Sequence, residues 1–191
     1  MDFKYFICPA SKWSFEQGSL KQWVESFCQG RTLNLFAGKV RLAISEIRVD
    51  ISDEYKPDFC MDAHEFVNQA IQKNQKFETI ILDPPYNVRK AREKYCGNYV
   101  GRLRQLKTNL LNLIPLGGRV ISLGYDSVGM SVYRGFKKKA ICLVCHGGDH
   151  NDTIGLVEER IRLDLFNEDS RGAGFGGKDE TSSRHENKVQ K

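Results

Sequence analysis

The stretch IILDPPY, residues 80–86, places an acid, two prolines and an aromatic ring directly after three apolar residues. The apolar run is typical of a buried strand, so the residues after it lie at the strand's tip. Pro84 and Pro85 fix two φ angles and remove two backbone donors. The Asp83 carboxylate and the Pro84 carbonyl remain as rigid acceptors, and Tyr86 adds a flat ring with a polar end.

Two rigid acceptors can bind the two hydrogens of one amino group. When both hydrogens of an aromatic amine are held out of the ring plane, the nitrogen lone pair conjugates less with the ring. The nitrogen then becomes a better nucleophile. A nucleobase turned out of its stack presents such an amine, together with a flat face on which Tyr86 can stack. The motif therefore predicts a site for the exocyclic amine of a base.

Small and acidic residues end the neighbouring predicted strands. One strand ends at Phe36 and leads to Gly38, which leaves room for a ligand to approach the backbone. The next strand carries Asp50, which can accept from two ribose hydroxyls. Asp62 precedes a predicted helix that begins at Ala63, and it can either accept from an amino group or cap that helix.

Strands and helices alternate along the chain with short connections. This order predicts an α/β fold with an open, mostly parallel sheet and helices on both faces. Ligands bind at the carboxyl ends of the strands in such sheets, so the strand tips should form one site. The predicted strands are Thr32–Phe36, Ile47–Ile51, Glu78–Leu82, Arg119–Leu123 and an antiparallel hairpin of Ala140–His146 with Thr153–Ile161; the predicted helices are Ser19–Cys28, Ala63–Lys73 and Val100–Ile114.

The motifs, in this order, resemble those of the class I S-adenosylmethionine-dependent methyltransferases over about residues 30–162. More narrowly, DPPY resembles the motif of the amino-methyltransferases that act on nucleic-acid bases, such as adenine-specific DNA methylases. The resemblance implies a Rossmann-like sheet with an antiparallel last strand, and S-adenosyl-L-methionine as the cofactor. It implies that Phe36, Ala37 and Gly38 line the methionine side of the cofactor, that Asp50 binds its ribose and Asp62 with Ala63 its adenine, and that Asp83, Pro84, Pro85 and Tyr86 hold the target base.

The spacing of the first two strand tips departs from the family pattern. Only fourteen positions separate Phe36 from Asp50, whereas a loop, a helix and a strand need about twenty or more. The first crossover helix is therefore predicted to be very short or missing, with Val40–Ser45 extended. A non-catalytic subunit that binds cofactor or nucleic acid is the alternative, although an intact DPPY argues against it. Lys12 and Trp13 could contact the cofactor, or Trp13 could pack on the sheet.

Cations cluster directly after DPPY. Residues 88–107 carry seven Lys or Arg against Glu93 alone, which favours a polyanionic partner. No insert of domain size lies between the motifs, so recognition would come from loops 87–102 and 124–139 or from a specificity partner protein. Adenine N6 in DNA is the favoured target, and adenine N6 or guanine N2 in RNA and a protein amide stay open. The residues expected to bind nucleic acid are Arg89, Lys90, Arg92, Lys94, Arg102 and Arg104.

Composition bounds the class of protein. The 191 residues carry a net charge of +5 and are 40% hydrophobic, enough for one packed domain. No apolar run approaches the roughly 20 residues of a membrane helix, and the N-terminus lacks a signal-peptide pattern, so we expect a cytoplasmic protein. The expected organisation is a helical lead-in over 1–30, a methyltransferase domain over 31–166 and a disordered tail over 167–191.

The cysteines near the C-terminal hairpin invite a zinc interpretation. Cys142 and Cys145 are followed by His146 and His150, which are all possible zinc ligands. Residues three apart on a strand point to opposite faces, however, which separates the two thiols. We therefore expect two strand cysteines and no metal.

Overall fold

The computed structural model describes residues 1–85, 103–148 and 150–162. The apolar runs of the sequence form its strands, and the apolar stripes form its helices. Within the described residues the strands are β1 (Asp2–Ile7), β2 (Thr32–Leu35), β3 (Glu46–Asp50), β4 (Phe59–Cys60), β5 (Thr79–Leu82), β6 (Arg119–Gly124), β7 (Phe136–Cys145) and β8 (Thr153–Arg160), and the α-helices are α1 (Gly18–Phe27), α2 (Ala63–Gln72) and α3 (Leu103–Asn109).

The eight strands form one sheet in the order β1-β7-β8-β6-β5-β2-β3-β4. All neighbouring strands are parallel except β8, which runs antiparallel to β6 on one side and to β7 on the other. The predicted α/β fold, with a mostly parallel sheet and an antiparallel last strand, is confirmed. The carboxyl ends of β2, β5 and β6 therefore meet at one edge of the sheet.

The central strands are apolar because both of their faces are covered. All four residues of β2 and all four of β5 are buried, as expected for parallel strands between two helical layers. On one face, α1 packs its stripe of Leu20, Trp23 and Val24 against the sheet. On the other face, α2 and α3 contribute to a second core cluster. The two layers hold the strand tips in fixed positions.

Several elements differ from the predicted ones. The short strand β4 (Phe59–Cys60) was not predicted, and β7 begins at Phe136 rather than at Ala140. The helix predicted over Val100–Ile114 is described from Leu103 to Asn109 and continues as a 3₁₀ turn over Leu110–Asn112. The lead-in 1–30 contains α1 as predicted, but it begins with the strand β1 rather than with helix. Five of the six β1 residues are exposed. The strand therefore lacks the alternation of buried and exposed residues from which the sequence could predict it. It forms because it pairs with the free edge of β7.

The hairpin cysteines lie on opposite sides of the sheet, as predicted. Cys142 is fully buried in the core with α1, whereas Cys145 is only partly buried. Burial raises the pKa of the Cys142 thiol to about 12, so it stays protonated near neutral pH. Among the described residues, no three His, Cys, Asp or Glu side chains are grouped to hold a metal ion. None of the described helices is long and apolar enough to cross a membrane.

A glycine on β8 permits α1 to pack closely on the sheet. A Cβ atom at Gly155 would lie 2.5 Å from the Cys142 Sγ and 2.8 Å from the Trp23 ring. We expect Gly155→Ala to lower the free energy of unfolding in urea by about 2 kcal/mol, because an overpacked core forces side chains or backbone to shift. Gly18→Ala is the matched control, since nothing lies within 4 Å of a Cβ there. Equal losses in both variants would contradict this account.

Candidate functional site

Residues 36–45 connect β2 to β3 without a helix. The prediction of a missing first crossover helix is therefore confirmed. Phe36 adopts a φ of 65° and Gly38 a φ of 55°, and the first is uncommon for a residue with a side chain. The chain thus turns sharply at the tip of β2 and continues as an irregular segment.

Charged side chains on one face of β3 bind the backbone of segment 36–45. The Asp50 carboxylate accepts from the Gly38 N–H at 2.8 Å and from the Ser52 N–H at 3.0 Å. The Arg48 guanidinium, which has 0% exposure, donates to the Gly38 carbonyl at 2.5 Å. It also donates to the carbonyls of Tyr55 and Lys56 at 3.1 and 3.3 Å. Both polar groups of Gly38 are therefore bound by β3.

Glu46 extends the same arrangement by two residues. Its carboxylate accepts from the Leu42 N–H at 3.1 Å and from the Asn34 side-chain amide at 2.8 Å, and it lies 3.5 Å from the Arg48 Nε. A helix satisfies its own backbone groups, whereas the buried residues of an irregular segment need other partners. The polar face of β3 supplies those partners at the position of the missing helix.

A cavity of about 390 Å³ opens at the carboxyl ends of the strands. Its volume is in the range of small-molecule sites. The N-terminal segment (residues 8–17) and the β7–β8 hairpin also line it. Lys12 and Trp13 were possible cofactor contacts in the sequence, whereas Gln17, His146 and Thr153 were not assigned to this site. The predicted residues that the structure brings together here are Phe36, Ala37, Gly38, Asp83, Pro84 and Pro85.

His146 binds the start of the N-terminal segment, at Cys8. One ring nitrogen of His146 lies 3.0 Å from the Cys8 carbonyl, and the other lies 2.9 Å from the Thr153 hydroxyl. The Gln17 amide donates to the Pro9 carbonyl at 3.3 Å. These contacts close the segment onto the end of the hairpin. It is therefore a structured wall of the cavity.

A second cavity, of about 170 Å³, lies next to the first, and Pro84 and Pro85 line both. Lys107 also lines it, and its ammonium donates to the Gly129 carbonyl at 3.0 Å. Burial lowers the pKa of Lys107. The Ser122 hydroxyl in the same lining is buried and has no hydrogen-bond partner among the described residues. This cavity therefore offers polar groups that a ligand could use.

The loop after β6, which borders the second cavity, is held by a buried acid. The Glu158 carboxylate has 1% exposure and accepts from the Met130 N–H at 2.5 Å and from the Ser131 N–H at 3.3 Å. Burial raises the pKa of Glu158, and the two N–H donors oppose this rise. Ser131 has a φ of 77°, an unusual conformation that these bonds stabilise.

Three predicted cofactor residues lie outside the lining of both cavities. Asp50 has 2% exposure beneath Gly38, Ala63 is buried, and Asp62 caps α2 by accepting from the His64 and Glu65 N–H groups. The capping alternative for Asp62 is confirmed, while the ribose and adenine roles stay predictions. Arg104 is exposed on α3. The predicted site residues Tyr86, Arg89, Lys90, Arg92, Lys94 and Arg102 lie outside the described residues, as does the tail 167–191.

Comparisons with solved structures identify the fold. The chain superposes on a putative SAM-dependent methyltransferase from Streptococcus mutans with a TM-score of 0.53 and 14% identity, covering 74% of this chain and 48% of that one. It matches the putative methylase HI0767 from Haemophilus influenzae with a TM-score of 0.50 and 13% identity, covering 75% and 87% of the two chains. It matches the N-methyltransferase NodS from Bradyrhizobium japonicum, in complex with S-adenosyl-L-homocysteine, with a TM-score of 0.50 and 10% identity, covering 78% and 87%.

The described sheet thus has the Rossmann-like fold of SAM-dependent methyltransferases. The chain spans about half the length of the Streptococcus mutans protein that it matches. No family model matches the sequence, and no curated protein matches it. At identities of 10–14%, the similarity concerns the fold alone.

Removing the Arg48 guanidinium should destabilise the protein. Arg48→Met leaves the Gly38 and Tyr55 carbonyls without the Arg48 donor and the buried Glu46 carboxylate without its cation. We expect the free energy of unfolding in urea to fall by about 3 kcal/mol. Arg41→Met is the control, because Arg41 is exposed and donates to the Lys56 carbonyl, and it should lose less than about 1 kcal/mol. Similar losses would show that burial of Arg48 is not what matters.

The raised pKa of Glu158 predicts a pH dependence of stability. Because the folded chain holds the Glu158 proton more tightly than the unfolded chain does, folding takes up a proton between the ordinary pKa of Glu and the raised one. The free energy of unfolding therefore falls as pH rises through that window and levels off above it. Glu158→Gln should remove this fall, whereas Glu54→Gln, on the surface, should keep it. Urea denaturation across this pH range measures the free energy of unfolding of the wild type and of both variants. If the stability of the wild type relative to Glu158→Gln rose with pH, the assignment to Glu158 would be wrong.

Proposed function

We propose that the protein transfers a methyl group from S-adenosyl-L-methionine to an exocyclic amine of a nucleic-acid base, with adenine N6 in DNA as the favoured target. The observation that carries the proposal is the position of Asp83, Pro84 and Pro85, the described part of the DPPY motif, beside two cavities. Asp83, Pro84 and Pro85 line the larger cavity, and both prolines also line the smaller one. A methyl donor in one cavity and an acceptor amine in the other would meet at this motif.

The larger cavity suits the cofactor. It lies at the strand tips of a methyltransferase fold, where ligands bind in sheets of this kind. Its lining combines the flat rings of Trp13 and Phe36 with polar groups from the N-terminal segment and the hairpin. The ribose role of Asp50 rests on the family resemblance alone, because its carboxylate is 2% exposed and lies outside the lining of the cavity.

The smaller cavity suits the edge of a base. Lys107 and Ser122 can donate hydrogen bonds to ring nitrogens or carbonyl oxygens, and Asp126 in the same lining can accept them. Tyr125 lines both cavities. The proposal assigns base stacking to Tyr86, as the family resemblance implies.

The protein's part in the reaction is positioning and electrostatics. When bound, S-adenosyl-L-methionine supplies an electrophilic methyl group whose sulfur leaves as a neutral thioether with the S–C electron pair. Asp83 and the Pro84 carbonyl hold the two amine hydrogens, so that the nitrogen lone pair faces the methyl group. The same acceptors stabilise the positive charge that grows on the nitrogen, which then releases one proton to solvent water. The new N–C bond replaces the S–C bond.

Two other functions stay open. An RNA methyltransferase for adenine N6 or guanine N2 would use the same chemistry, and the absence of a domain-sized insert between the motifs favours a structured target or a specificity partner protein. A non-catalytic subunit is favoured by one observation, the irregular segment 36–45 in place of the first crossover helix. The retained Asp83 and paired prolines favour the enzyme instead.

Label transfer tests the reaction and its target together. The purified protein is incubated with methyl-labelled S-adenosyl-L-methionine and, separately, total DNA and total RNA, and each pool is digested to nucleosides. Label in N6-methyldeoxyadenosine supports the favoured target. Label in an RNA nucleoside would instead identify RNA as the target. Absence of label in both pools, with cofactor binding intact, would support the non-catalytic subunit.

Loss of the Asp83 carboxylate should separate catalysis from cofactor binding. We expect Asp83→Ala to lower the methylation rate by about 100- to 1,000-fold, because one acceptor for the amine is removed. The dissociation constant for S-adenosyl-L-homocysteine should stay close to the wild-type value in calorimetry. Asp53→Ala, at an exposed position outside both cavities, is the control. Near-full activity in the Asp83 variant would show that the acceptor role is wrong.

A further inference from the structure

The two edges of the sheet differ in length. β4 forms one edge with only two residues, and very short edge strands offer little backbone for pairing. β1 forms the other edge with six residues, which pair with β7 without a register shift. Among the strands that the structure describes, none lies on the outer side of β1. The outer N–H and C=O groups of β1 are therefore a template for a further strand.

The side chains of β1 are apolar for an exposed edge strand. Phe3 is 58% exposed and Tyr5 is 51% exposed. Alternate residues of a strand share a face, so these two rings lie on one side of the sheet, while Phe6 lies on the other side and packs against the core cluster of α1. Natural edge strands are often protected by charges. The charges of β1 are Asp2 and Lys4, which are exposed and have opposite signs.

A second copy of the chain can pair with this edge in only a few registers. Two identical edge strands related by a two-fold axis run antiparallel, and the axis passes between one residue and its own copy. With the axis at Lys4, two lysines lie opposite each other, and like charges destabilise such a pair. With the axis at Tyr5, Lys4 lies opposite Phe6 and gains no opposite charge. With the axis at Phe3, Lys4 of each copy lies opposite Asp2 of the other.

We propose that two copies of the chain form a dimer through β1, in an antiparallel register with Phe3 opposite its own copy. On one face of the joined sheet, this register forms two ion pairs between Asp2 and Lys4. On the other face, it places the two Phe3 rings side by side, with Tyr5 on the same face. Opposite charges and aromatic pairs across neighbouring strands both stabilise their pairing. The proposal concerns a surface away from both cavities and does not depend on the proposed function.

The geometry closes the dimer and leaves the cavities open. β1 runs in the same direction as β2, β5 and β6, so its carboxyl end points to the edge of the sheet that carries the cavities. In an antiparallel pair, the cavities of the two copies lie at opposite edges of the joined sheet, and the pairing covers neither set. Each copy uses its long edge, and the short β4 at the far end does not continue the assembly. The expected species is therefore a closed dimer and not a filament.

Exchange of the two charges tests the interface and its register together. Sedimentation velocity of the full chain at several concentrations should show a monomer–dimer equilibrium. Lys4→Asp places like charges opposite each other twice, and it should raise the dissociation constant of the dimer by about tenfold. Addition of Asp2→Lys to this variant exchanges the charges and should restore the wild-type value. Lys73→Asp, at an exposed position at the end of α2, is the matched control, because it changes the net charge equally and should dimerise as wild type does.

Phe3→Glu is an independent second variant. It places two carboxylates opposite each other at the axis, and the exposed position of Phe3 allows the change without loss of the fold. This variant should be a monomer, and urea denaturation should show wild-type stability. A stable dimer of Phe3→Glu would contradict the register.

The remaining outcomes also decide the proposal. A wild-type chain that stays monomeric at about 100 μM would overturn the dimer. A dimer that Lys4→Asp leaves as stable as wild type would use another surface, and a charge exchange that does not restore the dimer would show that Asp2 and Lys4 are not opposite each other. Species larger than a dimer that grow with concentration would show open-ended pairing, which contradicts the closed arrangement.

Discussion

The buried charged face of β3 is the constraint on which the rest of the site depends. A parallel strand between two layers normally buries apolar side chains on both faces. Here Glu46, Arg48 and Asp50 carry charges into the interior, where they bind the backbone of segment 36–45 and of the turn after β3. An irregular segment cannot satisfy its own backbone groups as a helix does, so these side chains complete its hydrogen bonds. They set the position of Gly38 and hence the floor of the larger cavity.

Two further segments beside the cavities are also held by polar side chains that bind their backbone. The N-terminal segment is held at one end by His146 and packs through Trp13 on Gly38 at the other. The loop after β6 is held by Glu158, a buried carboxylate that accepts two backbone N–H groups. In all three places a polar side chain on a strand or at its end supports irregular backbone next to a cavity, and Arg48, Asp50 and Glu158 among them are buried. Such groups are costly to bury unless they are paired, so the positions of the loops are strongly specified.

The two cavities connect this arrangement of loops to the proposed reaction. Pro84 and Pro85 stand between them, and Asp83 lines the larger one. In the proposed reaction the protein contributes no nucleophile of its own and no metal, so its main task is to bring a donor and an acceptor into line. A rigid pair of prolines at the end of a strand buried on both faces is well suited to that task. The chain has no domain-sized insert between its motifs for target recognition. Recognition of the target therefore falls to the loops around the smaller cavity and to a partner protein.

The sequence by itself determined the order of the strands and helices after residue 18 except the short strand β4. It also determined the missing crossover helix and the grouping of Phe36, Gly38 and Asp83 at one edge. These features are local or depend on connection length: apolar runs and stripes report burial, and fourteen positions are too few for a loop, a helix and a strand. Tertiary structure alone decided that β1 pairs with β7, that Arg48 is fully buried, and that Asp50 turns to Gly38. The reason is physical: a charged residue in a strand pattern is expected to be exposed, whereas Arg48 and Asp50 bind the backbone of Gly38, ten and twelve residues away. Only the packing of the whole chain brings those groups together.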